Sequence, residues 1–454
     1  MKIYENVLDM VGRTPMLKVS RLDTGPCELY LKLELQNPGG SIKDRIGISM
    51  IDNAQARGDI TPGDTLVEAT AGNTGLGLAL VAAQRGYRLI LVLPDKMSQE
   101  KIFNLRAMGA EIVLTRSDVG RGHPEYYQDL ARQIATDKGA YFINQFGNPD
   151  NPKAHELTTA PEILEQMDGD LDAVVVGVGS SGTVSGMTAY FREHAPKVRM
   201  VLADPEGSVL TRYIETGELG ESSSWLVEGI GEDFIPDIAD FSAVDRAFTV
   251  SDADSFAAAR ELLLKEGLLG GSSSGTLLAA ALRYCREQTE KKRVVAFVCD
   301  TGNKYLSKLY NDFWMEDQGF FKREQHGDLR DLIGRPHGQR ATVFVGPDDI
   351  LMTAHNRLRN AGFSQLPVMR DDELIGVLTE EDIMRFVFGK PQLMSAKVVE
   401  AMSTTFAVVE KDFSMQNVVA LLRGAPYTAV VDGKRFLGLI TRADVLNHMR
   451  KQFD

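Results

Sequence analysis

The chain has 454 residues, with 50 Lys+Arg against 63 Asp+Glu, a formal net charge of −13 and 43% hydrophobic residues. That is ordinary globular composition at a length for several domains, and the acidity argues against a DNA or RNA partner, which needs a basic face. Cys27, Cys285 and Cys299 form no CxxC pair, and no apolar run suits a membrane span or signal peptide; the expectation is a soluble cytoplasmic protein without disulfides or a zinc site.

Over the first three hundred residues, short runs rich in Val, Ile and Leu fall at 28–33, 65–68, 88–93, 111–114, 173–178, 199–203 and 293–299. Helical spacing lies between them, as at 75–84 and 99–108. Apolar runs without polar alternation are strands covered on both faces, and their alternation with helices predicts parallel sheets wound by crossovers. The fold class is α/β.

Small-residue loops follow several of these strands. Residues 37–45 (NPGGSIKDR) turn tightly and open a helix with Lys43 at its start. A lysine enclosed in a cleft loses basicity and can form a Schiff base with an aldehyde, whereas the plainer reading is a surface lysine after a turn. Residues 68–75 (EATAGNTG) offer amides and threonine hydroxyls to a carboxylate at a helix N-terminus; on their own they read first as a capped helix. Residues 177–183 (GVGSSGT) match G-x-G-x-x-G, and Asp204 closes the next strand, which approaches a dinucleotide fingerprint. A clamp for a single phosphate is the favoured reading, with a structural turn as the alternative. Residues 270–275 (GGSSSG) and 300–305 (DTGNKY) have the same form. Five such loops at strand C-termini mark the ligand crevice of an open sheet.

Beyond Trp314 the character changes. Residues 316–338 are charged and aperiodic, which predicts a linker. After them Gly376-Val-Leu-Thr-Glu-Glu-Asp-Ile recurs as Gly438-Leu-Ile-Thr-Arg-Ala-Asp-Val at an offset of 62 residues, and Leu374, Val368 and Gly362 meet Phe436, Val430 and Gly424 at the same offset. Two copies of one small unit are present, and such units bury their open faces on each other. The expected division is a two-lobed core at 1–315, a linker at 316–338 and a paired module at 339–454. Its motifs fall at about 339–390 and 397–454.

Together these segments resemble the pyridoxal-phosphate enzymes of fold type II, and among them the cystathionine β-synthases, in unbroken motif order from Val11 to Trp314. The resemblance implies two open, mostly parallel α/β lobes and pyridoxal 5'-phosphate as cofactor. It implies Lys43 as Schiff-base lysine and general base, Asn73 at the cofactor's phenolic oxygen and Ser273 at its ring nitrogen. Gly179, Ser180, Ser181, Gly182 and Thr183 would cradle the phosphate. Thr70, Gly72, Thr74 and Gln145 match positions that hold the amino-acid carboxylate, with Ala71, Gly229 and Tyr305 also assigned to the substrate. A serine opposite the ring nitrogen cannot keep it protonated as a carboxylate would, which favours expulsion of a β-substituent over racemisation.

The activity so implied is condensation of L-serine or O-acetylserine with L-homocysteine to cystathionine, the first step of transsulfuration to cysteine. Residues 203–208 (ADPEGS) and 227–236 (VEGIGEDFIP) are similar to cystathionine β-synthases. Ala71 and Phe146 each lack a hydroxyl common there and point instead to a cysteine synthase using O-acetylserine and sulfide. A core that has lost catalysis and serves nucleotide sensing is the third reading. The chain starts without the haem-binding extension of the animal enzymes, so no haem is expected.

The repeat resembles a Bateman module, two CBS motifs of βαββα form. That likeness implies ribose contacts from Thr379 with Asp382 and from Thr441 with Asp444, for S-adenosylmethionine or an adenine nucleotide. Read from the residues alone, each threonine is an N-cap and each aspartate a first-turn acid. Family likeness further implies a homodimer or larger homo-oligomer.

Overall fold

The computed structural model describes residues 3–450 apart from Ala71, Lys96, Ser98, Arg121 and Arg340. The chain divides into two compact units, Met1–Tyr310 and Asn311–Asp454.

The strands of the first unit are β1 (Met16–Lys18), β2 (Glu28–Lys32), β3 (Thr65–Ala69), β4 (Arg88–Pro94), β5 (Glu111–Thr115), β6 (Tyr141–Phe142), β7 (Ala173–Gly177), β8 (Arg199–Pro205), β9 (Val244–Val250) and β10 (Arg293–Phe297). They form two sheets, one in the order β1-β2-β10-β7-β8-β9 and one in the order β5-β4-β3-β6. Every pairing is parallel except β1 with β2. The expected α/β class with two mostly parallel lobes is therefore the observed one. Val174, Val175 and Val176 of β7 are fully buried, as the apolar run requires of a strand covered on both faces. Strand β9 lacks such a run; it is the sheet edge, mostly half-buried or exposed.

Helices α1 (Lys43–Arg57) and α2 (Asn73–Arg85) cross backbone to backbone. A Cβ on Gly47 would fall 2.8 Å from Gly77 O, and one on Gly77 would fall 2.6 Å from Lys43 O. These glycines draw the two ligand-facing helix starts together. Gly47→Ala is expected to cost about 1–3 kcal/mol by overpacking, read as a lower urea midpoint at unchanged m-value; an unchanged midpoint would refute the crossing as drawn.

Beneath α1 lies a buried ion cluster. Arg45 Nε and Nη2 donate to Glu34 at 2.8 Å each, and Nη1 and Nη2 donate to Glu162, also at 2.8 Å. Lys32 Nζ donates to Glu162 at 2.8 Å and to Thr14 O at 2.7 Å. Burial pushes the Glu34 carboxyl upward, but the guanidinium beside it outweighs burial and holds it at about 2.

In the second unit β11 (Gln365–Arg370) pairs antiparallel with β12 (Glu373–Thr379), and β14 (Tyr427–Asp432) with β15 (Arg435–Thr441). The second pair reproduces the first at the 62-residue offset, including a register shift after Val368 and after Val430. The second copy opens with a strand, β13 (Val408–Glu410), whereas among the described residues the first has a single bridge there, Val345 to Val368. The stretch 316–338, read above as a linker, is more than a tether. Leu329, Leu332 and Ile333 join Val418, Val430 and Ile440 in the core of the second copy.

Candidate active site

The loops at the C-termini of β2, β3, β7 and β10 converge on one cavity of about 600 Å³ in the first unit. They are stitched together: Ser41 bridges to Asp300 and Gly270 to Thr301, and Ile42 N donates to Cys299 O at 2.9 Å. This ties the segments carrying Lys43, Ser273 and Tyr305 into one wall.

Lys43 opens α1, is half-buried, and lines the cavity. Its amine has no hydrogen-bond or ion-pair partner among the described residues, and burial lowers its pKa from the usual 10.5. Asn73 opens α2 and is held at both ends of its amide. Its Nδ2 donates to Asp300 Oδ2 at 2.7 Å, and its Oδ1 accepts from Lys304 Nζ at 2.8 Å. Tyr305 also lines the cavity, but its hydroxyl donates to Asp300 Oδ2 at 2.7 Å. Asp300 and Lys304 thus fix two residues named from sequence, though nothing in the spacing of 300–305 singled out their side chains.

Thr70, Gly72, Thr74 and Gln145 also line the cavity. Thr74 Oγ1 donates to Gln145 Oε1 at 2.7 Å, and Gln145 Nε2 donates to Ala69 O at 3.1 Å. Glu68 underpins this wall by accepting from Ala69 N at 3.0 Å and Gln145 N at 3.1 Å; burial raises its pKa to about 8. Ala71, assigned to the substrate from sequence, lies outside the described residues. Gly229 lines the opposite wall, where a Cβ on Gly179 would strike its carbonyl at 2.8 Å.

Gly179, Ser180 and Thr183 face the cavity, while Ser181 and Gly182 stand behind them. Ser181 adopts a left-handed φ of 64° and its hydroxyl donates to Ser180 O at 2.7 Å, so only its amide remains for a ligand. Helix Gly182–His194 begins here and directs its N-terminus at the same point. Asp204, the residue that suggested a dinucleotide, is spent as a cap: its Oδ2 accepts from Thr211 N at 2.9 Å and Thr211 Oγ1 at 3.0 Å.

Glu228, Lys101, Lys308 and Glu232 were not assigned from sequence. Glu228 accepts from Lys308 Nζ at 2.7 Å and pairs closely with Lys101. Glu232 lines the cavity, where burial and the neighbouring Asp233 raise its pKa to about 8. Phe146 lines it too, its ring 5.5 Å from that of Phe234.

A phosphate-bearing aldehyde fits this donor set. An unpartnered lysine of lowered pKa can take the aldehyde, and hydroxyls with a helix N-terminus can take the dianion. Ser273, in the first turn of helix Ser272–Arg286, offers a neutral hydroxyl to a ring edge.

In the second unit Thr379 N and Oγ1 donate to Asp382 Oδ2 at 2.9 and 2.6 Å, and Thr441 N and Oγ1 to Asp444 Oδ2 at 2.7 and 2.6 Å. One oxygen of each carboxylate is therefore committed to its helix cap. The other oxygen of Asp444 is approached by Gly334, where a Cβ would fall 2.5 Å away.

The profile of the family described as pyridoxal-phosphate dependent enzyme matches residues 7–300, and the CBS domain profile matches 339–389 and 398–451. These matches, the two-lobed sheet and the lysine-lined crevice define the class, a fold type II pyridoxal-phosphate enzyme carrying paired CBS domains. Mouse cystathionine beta-synthase is 40% identical over 392 residues, covering 83% of this chain and 69% of its own. The Dictyostelium discoideum cystathionine beta-synthase is 34% identical over 464 residues, covering 99% and 93%. The crystal structure of the O-acetylserine dependent cystathionine beta-synthase of Helicobacter pylori superposes with a TM-score of 0.62 at 38% identity, covering 68% of this chain and 99% of that one. The chain belongs to the cystathionine β-synthase family. No helix among the described residues is long and apolar enough to cross a membrane.

Proposed function

We propose that the chain condenses L-homocysteine with L-serine or O-acetylserine by β-replacement, releasing water or acetate and giving cystathionine. The observation that carries this reading is the unpartnered Lys43 amine facing the Thr70–Thr74 loop and the Gly179–Thr183 loop across one cavity. Pyridoxal phosphate, when bound, supplies an electron sink for the charge that develops at the substrate α-carbon. Lys43 Nζ would hold the aldehyde and, once released by the incoming amino acid, take the α-proton, a role favoured by its lowered pKa. Thr70, Gly72, Thr74 and Gln145 would seat the substrate carboxylate through amides and the Thr70 hydroxyl, Asn73 and Ser273 would orient the ring, and Gly179, Ser180 and Thr183 would grip the phosphate.

Phe146, which lines the cavity with its ring packed on Phe234, favours O-acetylserine as a first substrate, since an ester tolerates an apolar neighbour and acetate needs less acid assistance to leave than hydroxide. Measuring kcat/KM for homocysteine and sulfide, each with serine and with O-acetylserine, tests both points. Homocysteine is expected to exceed sulfide, and a preference for sulfide beyond about tenfold would reassign the chain to the cysteine synthases.

The reading includes a module that binds S-adenosylmethionine or an adenine nucleotide through Thr379 with Asp382 or Thr441 with Asp444, and assembly as a homo-oligomer. Truncation after Trp314 is expected to preserve turnover while abolishing any response to S-adenosylmethionine, normally about 5–150-fold for such coupling. A full chain indifferent to both ligands would leave the module a purely structural part.

A further inference from the structure

Two side chains behind the cavity bear on its phosphate loop. Asn151 and His155 stand four residues apart where helix Asp150–Ala154 runs into a π-helical turn, His155–Thr159. Such turns are rare and cluster at functional sites. Asn151 Nδ2 donates to Ser180 Oγ at 3.0 Å, and also to Gln145 O at 2.8 Å. His155 Nε2 lies 3.3 Å from Thr183 Oγ1, and its Nδ1 lies 2.9 Å from Thr159 Oγ1. The helix carrying Thr183 approaches this closely because Gly182 and Gly186 lack side chains. A Cβ on Gly186 would fall 2.2 Å from Pro152 O, and one on Gly182 would fall 1.8 Å from Asn151 Oδ1.

A hydroxyl carries one proton. Ser180 accepts from Asn151, so its own proton is free for a ligand. Thr183 is free in the same way only if it accepts from His155 Nε2–H. Nδ1 is then the acceptor, and the Thr159 hydroxyl supplies its proton. Only a neutral imidazole offers one donor and one acceptor. His155 is 1% exposed, and burial, with the charge of Lys43, lowers its pKa to about 3. Each hydrogen bond in such a chain polarises the next.

We propose that His155 is a positioning residue for the cofactor phosphate. The Thr159 hydroxyl fixes its tautomer, Nε2–H donates to Thr183 Oγ1, and the Thr183 proton is thereby directed into the cavity, as Asn151 directs that of Ser180. The proposal rests on the reading of Gly179–Thr183 as a phosphate clamp.

The test titrates the full chain, stripped of cofactor, with pyridoxal phosphate and separately with pyridoxal, which lacks the phosphate, reading the visible absorbance of each bound aldehyde. If the wild type binds both alike, the clamp reading itself fails. If it prefers the phosphate, His155→Leu is expected to weaken pyridoxal phosphate about 10–100-fold and leave pyridoxal unchanged. His155→Gln, which can still present an N–H near the Nε2 position, recovers most of that loss. Equal weakening of both aldehydes, or no change for pyridoxal phosphate, overturns the proposal. Should His155→Leu fail to fold, Thr159→Val carries the test: a few-fold selective loss for the phosphate supports it, and an unchanged ratio of the two affinities overturns it.

Discussion

Lys43→Ala is expected to remove the visible absorbance band of the purified enzyme and to lower kcat by about a hundredfold to ten-thousandfold. Lys43 lies at the start of α1, its amine unpartnered and its pKa lowered by burial. Alanine removes both the attachment point for the aldehyde and the base for the α-proton. Lys43→Arg is expected to fail as completely, because a guanidinium keeps its proton at every working pH. With lysine in place, a pKa below the usual 10.5 populates the free base at lower pH than for an exposed lysine, so activity should rise with pH earlier than an unperturbed amine allows. A variant that keeps the band and more than a tenth of wild-type turnover would dismiss Lys43 from the chemistry.

The second large effect lies beneath that helix. Glu34→Ala leaves Arg45, 4% exposed, with half of its carboxylate partners, and breaking such a buried pair costs about 3–5 kcal/mol. The expected readout is a Tm lower by roughly 10 °C, with a smaller loss for Glu34→Gln, which keeps the shape and one accepting oxygen for the donors around it. The sign of the pH dependence follows from the depressed carboxyl. Its folded pKa of about 2 lies below the ordinary 4.5, so its stabilisation is full above the ordinary value and is lost as pH falls through 2. The wild type should therefore lose stability relative to Glu34→Ala across that acid window. Parallel acid profiles would show that the cluster contributes nothing at Glu34.

Much of this molecule is legible in its residues because its ligand loops need conformations and clearances that few side chains permit. Ser181 at a φ of 64° and Gly179 against the Gly229 carbonyl leave a local signature of small residues. The apolar runs located β7, β8 and β10 to within a residue or two. The 62-residue offset likewise survives because paired strands, a turn and a helix cap all constrain register. What stayed hidden depends on contacts between distant segments. Asn151 and His155 sit in a stretch with no glycine signature and reach Ser180 and Thr183 only through the fold. Asp300, Glu228 and Lys308 read as ordinary charges until their partners are known. Strand β9 escaped because an edge strand needs no continuous apolar run, and the 62-residue repeat hid how much its second copy takes from outside itself.

That borrowing carries a lesson about where the chain can be cut. Leu329, Leu332 and Ile333 precede the first copy yet complete the core of the second. A premature stop between the two copies would leave those three apolar side chains without their cover, still attached to an intact catalytic unit. Such a product invites aggregation and clearance despite an undamaged active site, whereas a shorter chain ending before residue 329 escapes the penalty. Severity of truncation in this architecture is thus not ordered by how much is lost.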